Sequence, residues 1–282
     1  MIRRLPRRDP RFPALLAAIH DPPRRLFARG DADLGLLSEP AVAIVGARSC
    51  SSYGRSVARS LARELAGAGL VVVSGMARGI DGEAHRGALD ADGRTCAVLG
   101  CGIDRDYPAA HAELARRICG HGVIVSEYEP GVEPAPWRFP ARNRLIAGLC
   151  CATVVVEARE RSGALITADF ALEEGREVLA VPGEITSALS AGTNALIRLG
   201  ATPVTCAEDV LEVFGLERPA RKEVVVGPAA KALLEALRDG SLTVDELVRA
   251  SRIDPADASA ALIELELARL VTQEDGVYRA GA

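Results

Sequence analysis

Lysine is almost missing from this chain: of 34 basic residues only Lys222 and Lys231 are lysines, and the rest are arginine. A GC-rich genome, with its arginine codons, explains that bias more simply than any function does. A surplus of positive charge is missing as well. The 282 residues carry a net charge of −4, so no global basic field advertises nucleic acid, although a local arginine cluster can bind backbone inside an acidic protein. The seven cysteines form no CxxC or CxxH pair, which speaks against zinc and redox-pair sites and for reduced thiols in a cytoplasmic protein. The longest apolar run, 145–158, is far short of a membrane span, and the arginine-rich N-terminus lacks the apolar centre of a signal peptide. There is no GxxxxGK[ST], no complete GxGxxG, no HExxH and no GxSxG. No catalytic residue, metal site or cofactor is therefore expected.

What is present is a regular rhythm. Hydrophobic residues make up 49% of the chain, ample for one large domain plus a small one. Residues 1–39 are rich in Arg and Pro, with one short helical pattern at 12–19, and read as an arm packed on the main domain. From residue 40 to 216, apolar runs at 42–45, 70–73, 96–99, 123–125, 153–156 and 178–181 alternate with helical patterns at 55–65, 81–89, 109–118 and 165–174. That alternation predicts βαβ crossovers and a mainly parallel, Rossmann-like sheet covered on both faces. A linker is expected at 217–227, with a charge cluster at 218–223. After it the strand rhythm stops. In 228–282 the spacing predicts three helices and a hairpin around Asp275-Gly276, the winged-helix pattern. Its second helix opens on a capping box from Thr243 to Glu246, and its third on Asp254-Pro255.

Ligands of an open parallel sheet bind beyond the C-terminal strand ends, and that is where the glycines collect. The first such loop, Gly46-Ala-Arg48 with three serines, leads into a helix that Ser51 or Ser52 could cap. Loop amides, the helix dipole and the Arg48 fork together suit a phosphate. Arg78 and Arg161 stand on neighbouring loops of the same rim. The segment 137–144, WRFPARNR, reads as a Pro-bounded loop of three arginines, an asparagine and two aromatics, a combination that suits a single nucleic-acid strand. His85 reads as a hydrogen-bonded structural histidine rather than a general base. The apolar helical runs read as core faces.

These motifs together resemble the DNA-processing protein A family (DprA, also called Smf). The resemblance rests on VAIVGAR at 42–48, SGMARGIDGEAH at 74–85, AVLGCGIDRDYP at 97–108, SEYEPG at 126–131, FPARNRLIAGL at 139–149, VVVEARERSGALITA at 154–168, AVPG at 180–183 and GTNALIRLGA at 192–201. It implies a non-catalytic protein that binds single-stranded DNA, forms a homodimer and loads RecA on DNA entering during natural transformation. Carried over by position, the implied DNA-binding residues are Gly46, Ala47, Arg48, Ser51, Ser74, Arg78, Gly79, Phe139, Arg142, Asn143, Arg144, Ser162 and Gly163. Arg48→Glu and Arg142→Glu would each abolish much of the binding without unfolding the protein, both being read as exposed loop residues.

The sequence also departs from the family pattern. Residues 1–39 are too short for the sterile-alpha-motif-like domain of many members. Ala47 stands where serine is common, and SGALIT replaces SGSLIT, so two hydroxyls are lost. The third helix of the winged-helix end carries Glu264 and Glu266, whereas a duplex-reading helix is basic; a protein-contact or autoregulatory module is expected. The competing reading is a nucleotide-processing enzyme like the lysine-decarboxylase-like phosphoribohydrolases. Their PGGxGT…E signature is answered here by Ser162-Gly-Ala-Leu-Ile-Thr167, which lacks the glycines of a compact mononucleotide pocket.

Overall fold

The computed structural model describes residues 1–217, 226–237, 240–268, 270–274 and 276–280. Most of the expected linker, with its charge cluster, and Asp275 of the expected hairpin lie outside them. The described chain forms two compact units, Met1–Pro219 and Ala220–Ala282.

The sheet of the first unit begins where the sequence reads as an arm. Strand β1 (Ile2–Pro6) pairs antiparallel with β2 (Arg25–Arg29), from Ile2↔Arg29 to Pro6↔Arg25. Only Leu5 of β1 is fully buried, so an edge strand carrying Arg3 and Arg4 side by side looks like a polar tail. Between them lies α1 (Ala14–Ala17), a single turn where the pattern suggested two.

The expected strands all form: β3 (Ala41–Val45), β4 (Val71–Ser74), β5 (Thr95–Leu99), β6 (Val123–Ser126), β7 (Ala152–Val155) and β8 (Glu177–Ala180). Their near-continuous burial is the mark of a parallel sheet covered on both faces. With the short β9 (Thr202–Pro203) the order is β1-β2-β6-β5-β4-β3-β7-β8-β9. From β3 to β9 neighbours are parallel, and only β2 runs against the rest, since β1 is antiparallel to β2 and so points the same way as the others. The chain moves outward from β3 to β6, then jumps back to the other side of β3 for β7. That reversal puts a topological switch point between β3 and β7, where their C-terminal ends diverge into different loops.

Helices α2 (Ser52–Gly67) and α3 (Ile80–Asp90) cover one face, with Leu61, Leu65 and Ile80 in the core. Helix α4 (Ala112–His121) extends that layer with Leu114 and Ile118. The other face is covered by α5 (Arg138–Leu149) and α6 (Gly163–Glu173), through Leu145, Leu149, Ala164 and Ala168. Helices α7 (Ala191–Arg198) and α8 (Ala207–Leu211) finish the unit. The α5 helix corrects the loop reading of 137–144. Pro140 suggested a break, but it stands in the first turn, where its missing N–H has no intrahelical partner to lose.

The second unit is a winged helix. Helices α9 (Pro228–Ala236), α10 (Val244–Ser251) and α11 (Pro255–Leu267) enclose Leu233, Leu247, Leu262 and Leu265. A three-stranded sheet of β10 (Leu242–Thr243), β11 (Val271–Glu274) and β12 (Val277–Ala280) closes it. The Thr243–Glu246 capping box and the Asp254 N-cap before Pro255 both form.

Candidate functional site

A cleft of about 330 Å³ opens at the switch point. One wall is the loop after β3 (Gly46, Ala47, Arg48, Ser49). The second is the first turns of α5 (Phe139, Pro140, Arg142, Asn143). The third is the segment after β7 (Arg159, Arg161, Ser162, Gly163), and Asp81 and Ala77 form the floor. Arg48, Arg142, Arg159 and Arg161 face a single carboxyl group, Asp81, so the lining is strongly cationic. Among the described residues Arg48, Arg159 and Arg161 have no ion-pair partner.

Arg48 is exposed and lies over the Phe139 ring at 5.5 Å. Phe139 in turn stacks on Tyr107, centroids 5.2 Å apart and planes 23° from parallel. A guanidinium on an aromatic pair offers, within one small surface, a fork for a phosphate and a flat face for a base. Tyr107 carries no sequence signal for this role, because its loop follows β5 and reaches the site only through the sheet order.

Arg142 is not the exposed phosphate ligand its neighbours suggested. It is only 4% exposed, and its Nη1 donates to the carbonyls of Gly75, at 2.8 Å, and of Val98. Its Nε reaches Asn143 Oδ1 at 3.3 Å, and Asn143 Nδ2 donates to Gly163 O at 3.0 Å, tying α5 to the start of α6. Burial lowers the Arg142 pKa to about 10 and raises that of Asp81, which the Arg142 charge partly offsets. Both groups converge on Gly75, where a β-carbon would sit 2.6 Å from Arg142 Nη2 and 2.7 Å from Asp81 Oδ2. Arg142 is a keystone under the cleft, and at its floor it supplies field more than contact.

Other expected site residues are structural too. Arg144 is held by Glu127, two bonds of 2.8 Å, and by Asp21 at 3.0 Å, and lies outside the cleft. Ser74 is fully buried and donates to Ile44 O at 2.6 Å. Gly79 allows a close approach: φ is +76°, and a β-carbon would meet Ala47 O at 2.3 Å. Arg78 is exposed beside the cleft but not in its lining. Ser162 caps α6, accepting from Ala164 N at 3.3 Å, while Gly163 is open to solvent.

Ser51 changes the reading of its loop most. Its Oγ caps α2 by accepting from Gly54 N at 3.0 Å and donates to Glu157 Oε1, while its N–H donates to Glu157 Oε2 at 2.9 Å. The buried Glu157 carboxylate therefore occupies the anion position at the α2 N-terminus, where the dipole favours it. The same residue's carbonyl accepts from Ala47 N at 2.8 Å, so both ends of the loop are tied to Glu157. The loop does not offer that position to a phosphate; it presents Arg48.

His85 lies beneath this region and is buried. The Thr95 hydroxyl spends its hydrogen on Val72 O at 2.7 Å, so His85 Nδ1 must donate to Thr95 Oγ1 at 2.7 Å, leaving Nε2 buried without a partner. Burial lowers the His85 pKa to about 3 from an ordinary 6.5. The unfolded chain takes up that proton first, so His85 costs stability as pH falls below 6.5, at most about 1.4 kcal/mol per pH unit. Asp81, with its raised pKa, pulls the opposite way. Urea unfolding at pH 7 and pH 5 should show wild type losing more stability on acidification than His85→Gln; equal losses would contradict this.

The fold and site define a class: a doubly wound α/β domain with a cationic cleft at its switch point, followed by a winged helix. Residues 3–215 match the family described as DNA recombination-mediator protein A, and 217–277 match the DprA winged helix domain. The DNA processing protein DprA of Streptococcus pneumoniae is 47% identical over 206 residues, covering 73% of this chain and 72% of that one. The putative DprA of Mycobacterium tuberculosis is 46% identical over 272 residues, covering 92% and 70%, and protein Smf of Escherichia coli 38% over 281, covering 95% and 74%. The X-ray structure of the S. pneumoniae protein superposes with a TM-score of 0.72 at 45% identity, over 75% of this chain and 74% of that one. DNA processing protein A of Helicobacter pylori, solved for its single-stranded DNA binding mode, gives 0.66 at 32% identity, over 72% and 92%. The chain belongs to the DNA-processing protein A (DprA/Smf) family.

Proposed function

We propose that this chain binds single-stranded DNA along the cleft, without catalysing a reaction on it, and acts in the cytoplasm in natural transformation, protecting incoming DNA and passing it to RecA. The observation that carries the reading is the unpaired Arg48 lying on the Phe139–Tyr107 pair at the switch point. Duplex DNA hides its base faces and gains nothing from such a stack, whereas a single strand gains both phosphate and base contacts. Glu157 weighs against the mononucleotide-enzyme reading, because an internal carboxylate already fills the helix-terminus position a nucleotide phosphate would take.

A homodimer is part of the proposal. Among the described residues β9 is the edge of the large sheet, and Leu199 beside it is 85% exposed at the end of α7, an apolar contact suited to a second copy. The winged helix is read as a protein-contact module: on α11 the exposed Ile263 and Leu267 stand among Glu264 and Glu266, a face ill-suited to DNA phosphates. Fluorescence anisotropy with labelled oligothymidylate and a duplex of equal length, beside a nucleotide-hydrolysis assay, tests the central part. Single-strand preference with no turnover is expected; equal affinity for duplex would overturn it.

A further inference from the structure

Three consecutive residues open α5, and the cleft uses only the last of them. Phe139 meets Arg48 and Tyr107. One position earlier, the Arg138 guanidinium lies 5.0 Å from the Tyr128 ring centre and 6.0 Å from that of Trp137. This second cation–aromatic stack adjoins the first and is open, Trp137 being 71% exposed. A single exposed aromatic needs no explanation. An indole propped by a guanidinium next to a cationic cleft is a different matter, because it repeats the chemistry of that cleft.

The acids nearby do not cancel the charge. Glu133 pairs with Arg105 and Glu129 with Arg25, each at 2.5 Å. Arg138 itself donates to the Glu133 carbonyl and, among the described residues, has no ion-pair partner. Beyond Arg25 the rim stays basic. Because β2 runs against β6, its first residue lies at the C-terminal end of the parallel strands, the same rim as the cleft. Arg24 and Arg7 are joined there through their backbones at 3.0 Å, and both side chains are exposed.

We propose that the bound single strand continues past Phe139 onto the Trp137–Arg138–Tyr128 stack, a second base platform, and leaves toward Arg24 and Arg7 at the β2 edge. The proposal rests on the cleft reading above. The longer track serves strands too long for the cleft alone, and extended single-strand sites of this sort combine aromatic platforms with a basic groove.

Trp137 is the only tryptophan in the chain, so its emission reports on this platform alone. The full chain is titrated with oligothymidylates of about 5 and about 15 nucleotides, following both tryptophan emission and the anisotropy of a label on the DNA. Both should bind, and the longer should quench the tryptophan while the shorter leaves it nearly unchanged. Trp137→Ala should weaken the longer oligonucleotide about tenfold and the shorter by less than about twofold, with Trp137→Phe restoring most of the loss. Unchanged emission with the longer strand bound, or equal losses at both lengths, overturns the platform and leaves the cleft standing. Failure of both oligonucleotides to bind wild type overturns the cleft reading and the platform with it.

Discussion

Arg142→Glu is expected to leave little folded protein. Its guanidinium is buried among the carbonyls of Gly75 and Val98 and beside Asp81, and a carboxylate in its place would face oxygen on every side. Removing one partner of a buried ionic arrangement costs about 3–5 kcal/mol, and reversing its charge costs more, against a typical domain stability of about 5–15 kcal/mol. Arg142→Lys keeps the charge but lacks the fork that reaches two carbonyls, so an intermediate loss is expected. Denaturant unfolding followed by circular dichroism separates the three proteins. A charge-reversed variant as stable as wild type would show Arg142 to be the exposed ligand that the sequence suggested.

Arg48→Glu is expected to do the opposite: full stability and almost no binding. The side chain is exposed, lies over the Phe139 face, and supports no core. Losing a charge-assisted phosphate contact and replacing it with a repulsion amounts to about 3 kcal/mol, or about a 100-fold weaker single-strand affinity. Anisotropy and thermal unfolding on the same sample read both quantities. If the variant melts early, Arg48 is structural; if it binds normally, the cleft is not the site.

The two arginines stand for what could and could not be read beforehand. Strands β3 to β8 were legible because parallel strands buried on both faces are uninterrupted apolar runs, and the capping box of α10 was legible because its chemistry is local. Strand order is not local. Periodicity could not say that β7 would lie beside β3, and only that neighbourhood brings Arg159 and Arg161 opposite Arg48. Arg142 and Arg144 look alike in sequence, and a helix at Arg138–Leu149 rather than a loop sends one into the interior and the other to Glu127. Ser74 and Ser51 suggested phosphate contacts, but their hydroxyls serve Ile44 and Glu157. Motifs pointed to residues that the fold gathers around one cleft, and did not separate those that line it from those that hold it up.

The salt dependence of single-strand binding tests the central claim most directly. If Arg48, Arg159, Arg161 and the field of Arg142 together neutralise about four phosphates, log K for oligothymidylate should fall with log salt at a slope near −3. Arg48→Ala should bring that slope down by about 1 unit. A slope near zero in wild type, or one that Arg48→Ala leaves unchanged, would contradict a phosphate-holding cleft at the β3–β7 switch point.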